Sequence, residues 1–93
     1  MTGRAHFCAA IGCPIRTPGE MLMCRIHWAR VPKATQIQVW ETYRIGIRNG
    51  AHPSRAWCEA ADHAVAIIAE REGRKVDPLK TYFRTYHPNT GHR

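Results

Sequence analysis

Four side chains in the first third of the chain constrain its fold more than any other feature. Cys8, Cys13, Cys24 and His27 form the pattern Cys-x4-Cys-x10-Cys-x2-His. The members of each pair are close enough to reach one ion, and zinc most often occupies such a set, at about 2.3 Å to sulfur and about 2.0–2.1 Å to nitrogen. Because four ligands are available locally, we predict a closed, structural Zn²⁺ site, since catalytic zinc keeps an open position.

Two alternatives to this ligand set stay open at the level of sequence. His6 lies two residues before Cys8 and is a competing fourth ligand. His27 is favoured because its spacing from Cys24 puts both side chains on the same side of one helical turn. Two disulfides among the four cysteines are the other alternative, and Cys58 is otherwise expected to be a small buried apolar residue.

The cellular compartment bears on the choice between thiols and disulfides. Residues 1–20 lack the apolar core of a signal peptide, and no apolar run approaches the roughly 20 residues of a membrane span. We therefore expect a cytoplasmic protein. Thiols stay reduced there, and this favours clustered cysteines as metal ligands.

The length of 93 residues predicts a single domain, residues 1–93. Its parts are a zinc-binding knuckle at 1–30, a helical hairpin at 31–73, and a short C-terminal helix with a tail at 74–93. The predicted fold class is mainly α: a small zinc-stabilised domain with an N-terminal treble-clef-like knuckle, two main helices and a short C-terminal helix. A metal suits so short a chain, because small domains have too little core to be stable without added links.

Turn residues and apolar periodicity set the expected elements. The first 23 residues read as irregular, with a hairpin tip at Thr17–Gly19 and a very short strand at Met21–Met23. Helices are predicted at 24–30, 33–47, 53–72 and 78–86. Their boundaries are marked by Pro32, Asn49-Gly50, Pro53, Gly73 and Pro78.

Helical spacing also predicts which side chains are buried. On the first main helix the expected apolar stripe is Ile37, Trp40, Tyr43 and Ile47, with Arg44 inside it. The tryptophans Trp28, Trp40 and Trp57 are the expected core anchors. The acidic residues of the second main helix, Glu59, Asp62, Glu70 and Glu72, read as helix surface.

The charge of the chain points to an anionic partner. Lys and Arg total 14 against 7 for Asp and Glu, which gives a formal net charge of +7. Such an excess favours nucleic acid or an acidic protein surface, and a scattered, solvated set of cations is the alternative. The candidate nucleic-acid-binding residues are Arg25, Arg30, Lys33, Arg44 and Arg48.

The sequence gives no support for catalysis. It contains no phosphate-cradling glycine loop, no nucleophile in a recognisable setting and no convincing pair of carboxylates. We therefore expect a protein that is not an enzyme. The exposed side of the stripe from Trp40 to Arg44 could also serve a homodimer.

Three segments resemble the small zinc-finger-like proteins, with three Cys and one His, of tailed bacteriophages and prophages. They are the Cys-x2-His-Trp motif at 24–28, Val-Pro-Lys at 31–33 and Trp-x2-Tyr-Arg at 40–44. Pro53-Ser54 then matches the usual start of an alanine-rich helix, so that the resemblance covers roughly residues 8–72. It implies a phage origin, a location in the cytoplasm of the bacterial host and a zinc site at Cys8, Cys13, Cys24 and His27. Such small basic phage proteins act as DNA-associated factors or as inhibitors of host enzymes and defences.

Overall fold

The computed structural model describes residues 5–87 and is mainly helical. Within that range two short strands precede four α-helices and one 3₁₀ turn. The elements are β1 His6–Phe7, β2 Arg16–Thr17, α1 Arg25–Arg30, α2 Lys33–Arg48, α3 Arg55–Arg71, the 3₁₀ turn Pro78–Lys80 and α4 Tyr82–Tyr86. The predicted fold class, a mainly α domain with an N-terminal knuckle followed by helices, is confirmed. The predicted C-terminal tail from residue 88 onward lies outside the described residues.

The N-terminal hairpin has its tip between the first two cysteine ligands. β1 and β2 pair antiparallel, with His6 opposite Thr17 and Phe7 opposite Arg16. The loop between the strands contains Gly12 at φ +81°, a conformation that glycine adopts without steric cost. The predicted hairpin tip at 17–19 is therefore wrong, because Thr17 belongs to β2 itself.

The segment before α1 is irregular where a short strand was predicted. Leu22 and Met23 are almost fully buried, and the Leu22 carbonyl accepts a hydrogen bond of 3.0 Å from the amide of Ala9. One apolar residue after another enters the core here, whereas a strand would point alternate side chains to opposite faces. This stretch places Cys24 beside the knuckle.

Helix α1 has little stability of its own. It spans six residues, buries none of them and has no side-chain cap at Cys24. Isolated helices this short do not form in water. Its position depends on the ligands at its start and on the bond of 2.7 Å from Gln36 Nε2 to the Trp28 carbonyl.

Helix α2 packs through small residues instead of the predicted apolar stripe. Its buried residues are Thr35, Val39 and Gly46, whereas Ile37 and Ile47 are about half exposed, at 47% and 53%. The stripe prediction is wrong for those two isoleucines because small side chains let two helix backbones approach closely. The predicted members Trp40 and Tyr43 border the contact and are half-buried.

Helix α3 supplies the other side of that contact with a face of alanines. Ala60, Ala61 and Ala64 are buried, and Cys58 among them is fully buried, as predicted for a small apolar residue. The helix begins at Arg55, two residues later than predicted, because the Ser54 hydroxyl caps it by accepting from the Trp57 amide at 3.1 Å.

The C-terminal helix α4 is fixed to α3 by a carboxylate. Asp62 accepts hydrogen bonds from the amides of Tyr82 at 2.7 Å and Phe83 at 2.9 Å. These amides belong to the first turn of α4, where no intrahelical acceptor exists. The prediction that Asp62 is helix surface is therefore wrong.

One core joins the knuckle to the helices. It includes Cys8, Met23, Val39 and Ile68. Trp57 is buried as expected of an anchor, but Trp28 and Trp40 are only half-buried. Across residues 5–87, no helix is long and apolar enough to cross a membrane.

Candidate metal centre

The four predicted ligands come together at one point. The ligand atoms of Cys8, Cys13, Cys24 and His27 all lie within 4.8 Å of one another. The first two come from the hairpin loop, the third immediately precedes α1, and the fourth lies in its first turn. This cluster could hold one metal ion.

The spacing of the donor atoms fits tetrahedral coordination. His27 Nδ1 lies 3.3 Å from Cys24 Sγ and 3.6 Å from Cys8 Sγ. In a regular tetrahedron the edge is about 1.6 times the metal–ligand bond, or about 3.5 Å for a sulfur–nitrogen pair around zinc. Both measured separations lie close to that value, and the other donor pairs lie within 4.8 Å of one another, so the cluster is compatible with tetrahedral coordination of one ion.

The surroundings of Cys8 and Cys24 shift the pKa values of these two thiols in opposite directions. Burial raises the pKa of Cys8 to about 11, although the backbone amides of Cys24 and Ala10 act in the opposite direction. Burial also disfavours the thiolate of Cys24, but hydrogen bonds from the backbone amide and the ring of His27 and from Cys8 and Cys13 lower the pKa of Cys24 to about 7. Of the Cys8 and Cys24 thiols, Cys24 therefore loses its proton more readily when a cation binds.

Glu72 orients the histidine ligand from outside the cluster. The imidazole Nε2 of His27 donates a hydrogen bond of 2.8 Å to Glu72 Oε2. This contact leaves Nδ1 to face the three sulfurs, and a carboxylate behind a histidine ligand fixes the ring and raises its basicity. Burial lowers the pKa of His27, but the hydrogen bonds to Cys24 and Glu72 outweigh it and raise that pKa.

Sequence reasoning missed Glu72, which it assigned to the helix surface. Glu72 follows the last residue of α3 and lies 45 positions after His27. Only the packing of α3 beside the knuckle brings the two side chains together. No local spacing in the sequence carries this information.

Two arginines contact Glu72 and a third contacts one of them, and together they form what we call the arginine rim: Arg30, Arg71 and Arg74. Arg30 Nη1 and Arg74 Nε lie 3.4 Å and 3.5 Å from the Glu72 carboxylate, while Arg71 donates a hydrogen bond to the Arg30 carbonyl. A Cβ added at Gly12 would come within 3.0 Å of Arg74 Nη1. The rim therefore has two guanidinium groups on one carboxylate and a third, that of Arg71, on the Arg30 backbone, with Arg74 against the knuckle at Gly12.

Neither alternative to the ligand set is found in the structure. The His6 ring lies outside the cluster and hydrogen-bonds the Phe7 carbonyl through Nδ1 at 2.8 Å. All four cysteines of the described chain are free thiols. Burial, with help from nearby Asp62, raises the pKa of Cys58 to about 11, so this thiol is kept neutral in the core.

The five cations predicted to bind nucleic acid are all exposed, but they do not form one compact cluster. Arg44 and Arg48 lie about 16 Å and 22 Å along α2 from Lys33, on the same side of that helix. Only Arg30 belongs to the rim. The exposed residues are Arg25, Arg30, Lys33, Arg44 and Arg48.

Comparisons of the chain with protein-family models, curated proteins and solved structures give no match. The inferences below therefore depend on the chain's own residues and geometry.

Proposed function

We propose that this chain is a non-enzymatic, zinc-stabilised protein that binds nucleic acid through its arginine-rich surface. The observation that carries the proposal is the arginine rim, where Arg30 and Arg74 are about half exposed, at 54% and 51%, around the single carboxylate of Glu72. Guanidinium groups bind phosphate through paired hydrogen bonds. The rim has more positive charge than Glu72 can neutralise, which suits it to a phosphate backbone.

Zinc is the metal we propose for the cluster, in a structural role. Three thiolates and one imidazole are a donor set that zinc commonly takes in closed sites. With four protein ligands in place, no coordination position is left for a substrate. This supports a protein that is not an enzyme.

Salt dependence tests the nucleic-acid proposal. Binding of labelled duplex and single-stranded DNA, followed by fluorescence anisotropy, is expected to weaken steeply as salt rises, because phosphate contacts release counterions. The double variant Arg30→Gln, Arg71→Gln should reduce the salt slope by about 1.8, at about 0.9 per lost phosphate contact. Absence of binding at about 50 mM salt would rule the proposal out.

A matched control separates the rim from net charge. The double variant Lys75→Gln, Lys80→Gln removes the same charge from exposed positions after α3. It should bind DNA with nearly the wild-type slope. Equal losses of DNA affinity in the two double variants would show that only the net charge matters. Metal content must be measured for each variant, because Arg30 contacts Glu72.

A second candidate function is binding to an acidic surface of a host protein. It is favoured by exposed aliphatic side chains among the cations of α2, where Ile37 and Ile47 are 47% and 53% exposed beside Lys33 and Arg44. Isolated apolar side chains gain nothing against a phosphate backbone but add contact area against a protein. Capture of a partner from nuclease-treated bacterial lysate should be lost with Ile37→Ser and kept with the control double variant.

We also propose a phage origin and action in the bacterial cytoplasm. The support is the resemblance at residues 24–28, 31–33 and 40–44. Either function is compatible with it, since small basic phage proteins include DNA-associated factors and inhibitors of host enzymes or defences. Finding the gene among phage structural or early genes would support the origin, and finding it within a chromosomal operon of housekeeping genes would contradict it.

A further inference from the structure

A cavity whose lining includes none of the arginine-rim residues has the features of a ligand site. It has a volume of about 360 Å³, near the lower end of the range of about 300–1,000 Å³ for small-molecule pockets. It lies between the segment before α1 and the helices. Aromatic rings dominate its lining, namely Trp28, Trp40, Tyr43, His52, Trp57 and Tyr82.

Five of the rings form a row in which each turns by about a right angle to the next. Trp40 meets Tyr43 at 89°, Tyr43 meets His52 at 79°, and His52 meets Trp57 at 72°. Trp57 meets Tyr82 at 77°, and Tyr82 then stacks on Tyr86, which also lines the cavity, at 9°. The rings therefore line the cavity in several orientations, which suits a compact, rounded ligand. A flat nucleobase needs two parallel faces with room between them, whereas the one parallel pair among the described residues of this lining, Tyr82 and Tyr86, is stacked on itself with centroids 6.4 Å apart.

Two buried polar atoms, on residues that line this cavity, lack hydrogen-bond partners within residues 5–87. Glu20 Oε1 and His52 Nδ1 are buried, and neither has a hydrogen-bond partner among the described residues. Both residues line the cavity. Neither atom has surface open to the cavity, so a ligand there would not contact them directly, but the Glu20 carboxylate adds a negative charge to the lining that no hydrogen bond to Oε1 from the described residues offsets.

The charges around the cavity select the sign of the ligand. Although the chain has 14 lysines and arginines, none of them is among the described residues that line this cavity, whereas Glu20 is. Burial lowers the pKa of His52, so its ring stays neutral and adds no competing positive charge. A phosphate would find no counter-charge here.

We propose that this cavity binds a quaternary ammonium group, held by the aromatic faces and by the Glu20 carboxylate. The faces of Trp and Tyr rings attract such cations through their negative quadrupole. The group could belong to a small molecule such as choline or to a trimethylated lysine side chain. This inference does not depend on the function proposed for the arginine rim.

Tryptophan fluorescence tests the proposal, because all three tryptophans line the cavity. The metal-loaded full chain would be titrated with choline chloride, with a trimethyllysine peptide, and with sodium chloride at equal ionic strength. The neutral isostere 3,3-dimethylbutan-1-ol has choline's shape without its charge. We expect saturable binding of choline or of the peptide, at least about tenfold tighter than the alcohol.

Two variants locate the binding. Glu20→Gln should weaken cation binding by about fivefold or more and leave binding of the alcohol unchanged, whereas Glu41→Gln, at an exposed position outside the cavity, should change neither. Trp40→Leu removes one wall and should also weaken the cation, which keeps the test decisive if Glu20→Gln does not fold.

Several results would overturn the proposal. They are no saturable signal with either cation, equal affinity for choline and the alcohol, or unchanged affinity in both the Glu20 and Trp40 variants. Binding of guanosine in place of either cation would show that the cavity is a nucleobase site, and would equally refute it.

Discussion

Replacing Glu72 tests how far the metal centre depends on a residue outside the ligand set. Glu72→Gln keeps a side-chain oxygen that can accept from His27 Nε2, 2.8 Å away in the wild type. It removes the negative charge that holds the ring and that two arginines of the rim contact. The metal then lies beside cations that no carboxylate neutralises, so we expect weaker metal binding without loss of any ligand.

The magnitude follows from the number of contacts that change. Carboxylates that orient a histidine ligand typically contribute 10- to 100-fold to metal affinity. Glu72→Gln should lie near the lower value because the hydrogen bond can persist, and Glu72→Ala near the upper value because it cannot. The two variants together separate the effect of the charge from that of the bond.

Competition with a chromogenic zinc chelator at constant pH measures the affinity of each variant. Circular dichroism of the metal-loaded protein confirms that the helices are retained. Glu70→Gln is the matched control, because Glu70 is exposed near the end of α3 and this substitution removes an equal charge. An affinity of Glu72→Gln within about twofold of wild type, or an equal loss in Glu70→Gln, would refute the reasoning.

Three further predictions concern other parts of the fold. Cys24→Ser should lower the zinc content and melt at least the N-terminal third, and an unchanged thermal melting curve would contradict this. Asp62→Ala should destabilise the protein by about 1 kcal/mol in urea unfolding through loss of two bonds to the first turn of α4, whereas Asp77→Ala should cost less because it removes one exposed bond, to the Leu79 amide. The folded-state pKa of His52 is lowered by burial, so the unfolded chain binds its proton first. Stability should therefore fall as the pH drops below about 6.5, and a melting temperature of His52→Phe with the same acid dependence as wild type would disprove this assignment.

The metal ligands could be predicted from sequence because they are close together along the chain. All four lie within residues 8–27, so their spacing alone indicates that they can meet. The helices were predictable for a similar reason, since Pro32, Asn49 and Gly73 interrupt the chain near the observed ends of α1, α2 and α3. Residues that are close together in the sequence determine both the ligand set and the helix ends.

The features that were mispredicted depend on contacts between distant segments. Ile37 and Ile47 fit an apolar stripe by spacing, but the buried residues of α2 include Val39 and Gly46 instead, and Gly46 is packed against His52 in the loop before α3. Asp62 looked like helix surface until α4 placed its unpaired amides beside it. In each case the partner lies on another element, and spacing within one helix contains no information about it.

The separation of Glu72 from the ligands has a consequence for how the protein is made. The ribosome synthesises the four ligands first, and Glu72 emerges 45 residues after His27, or about 2 to 9 s later at about 5–20 residues per second. A metal ion could thus bind the nascent chain before α3 has fully emerged from the ribosome. An ion bound at that stage could exchange with other metals until Glu72 emerges and hydrogen-bonds His27.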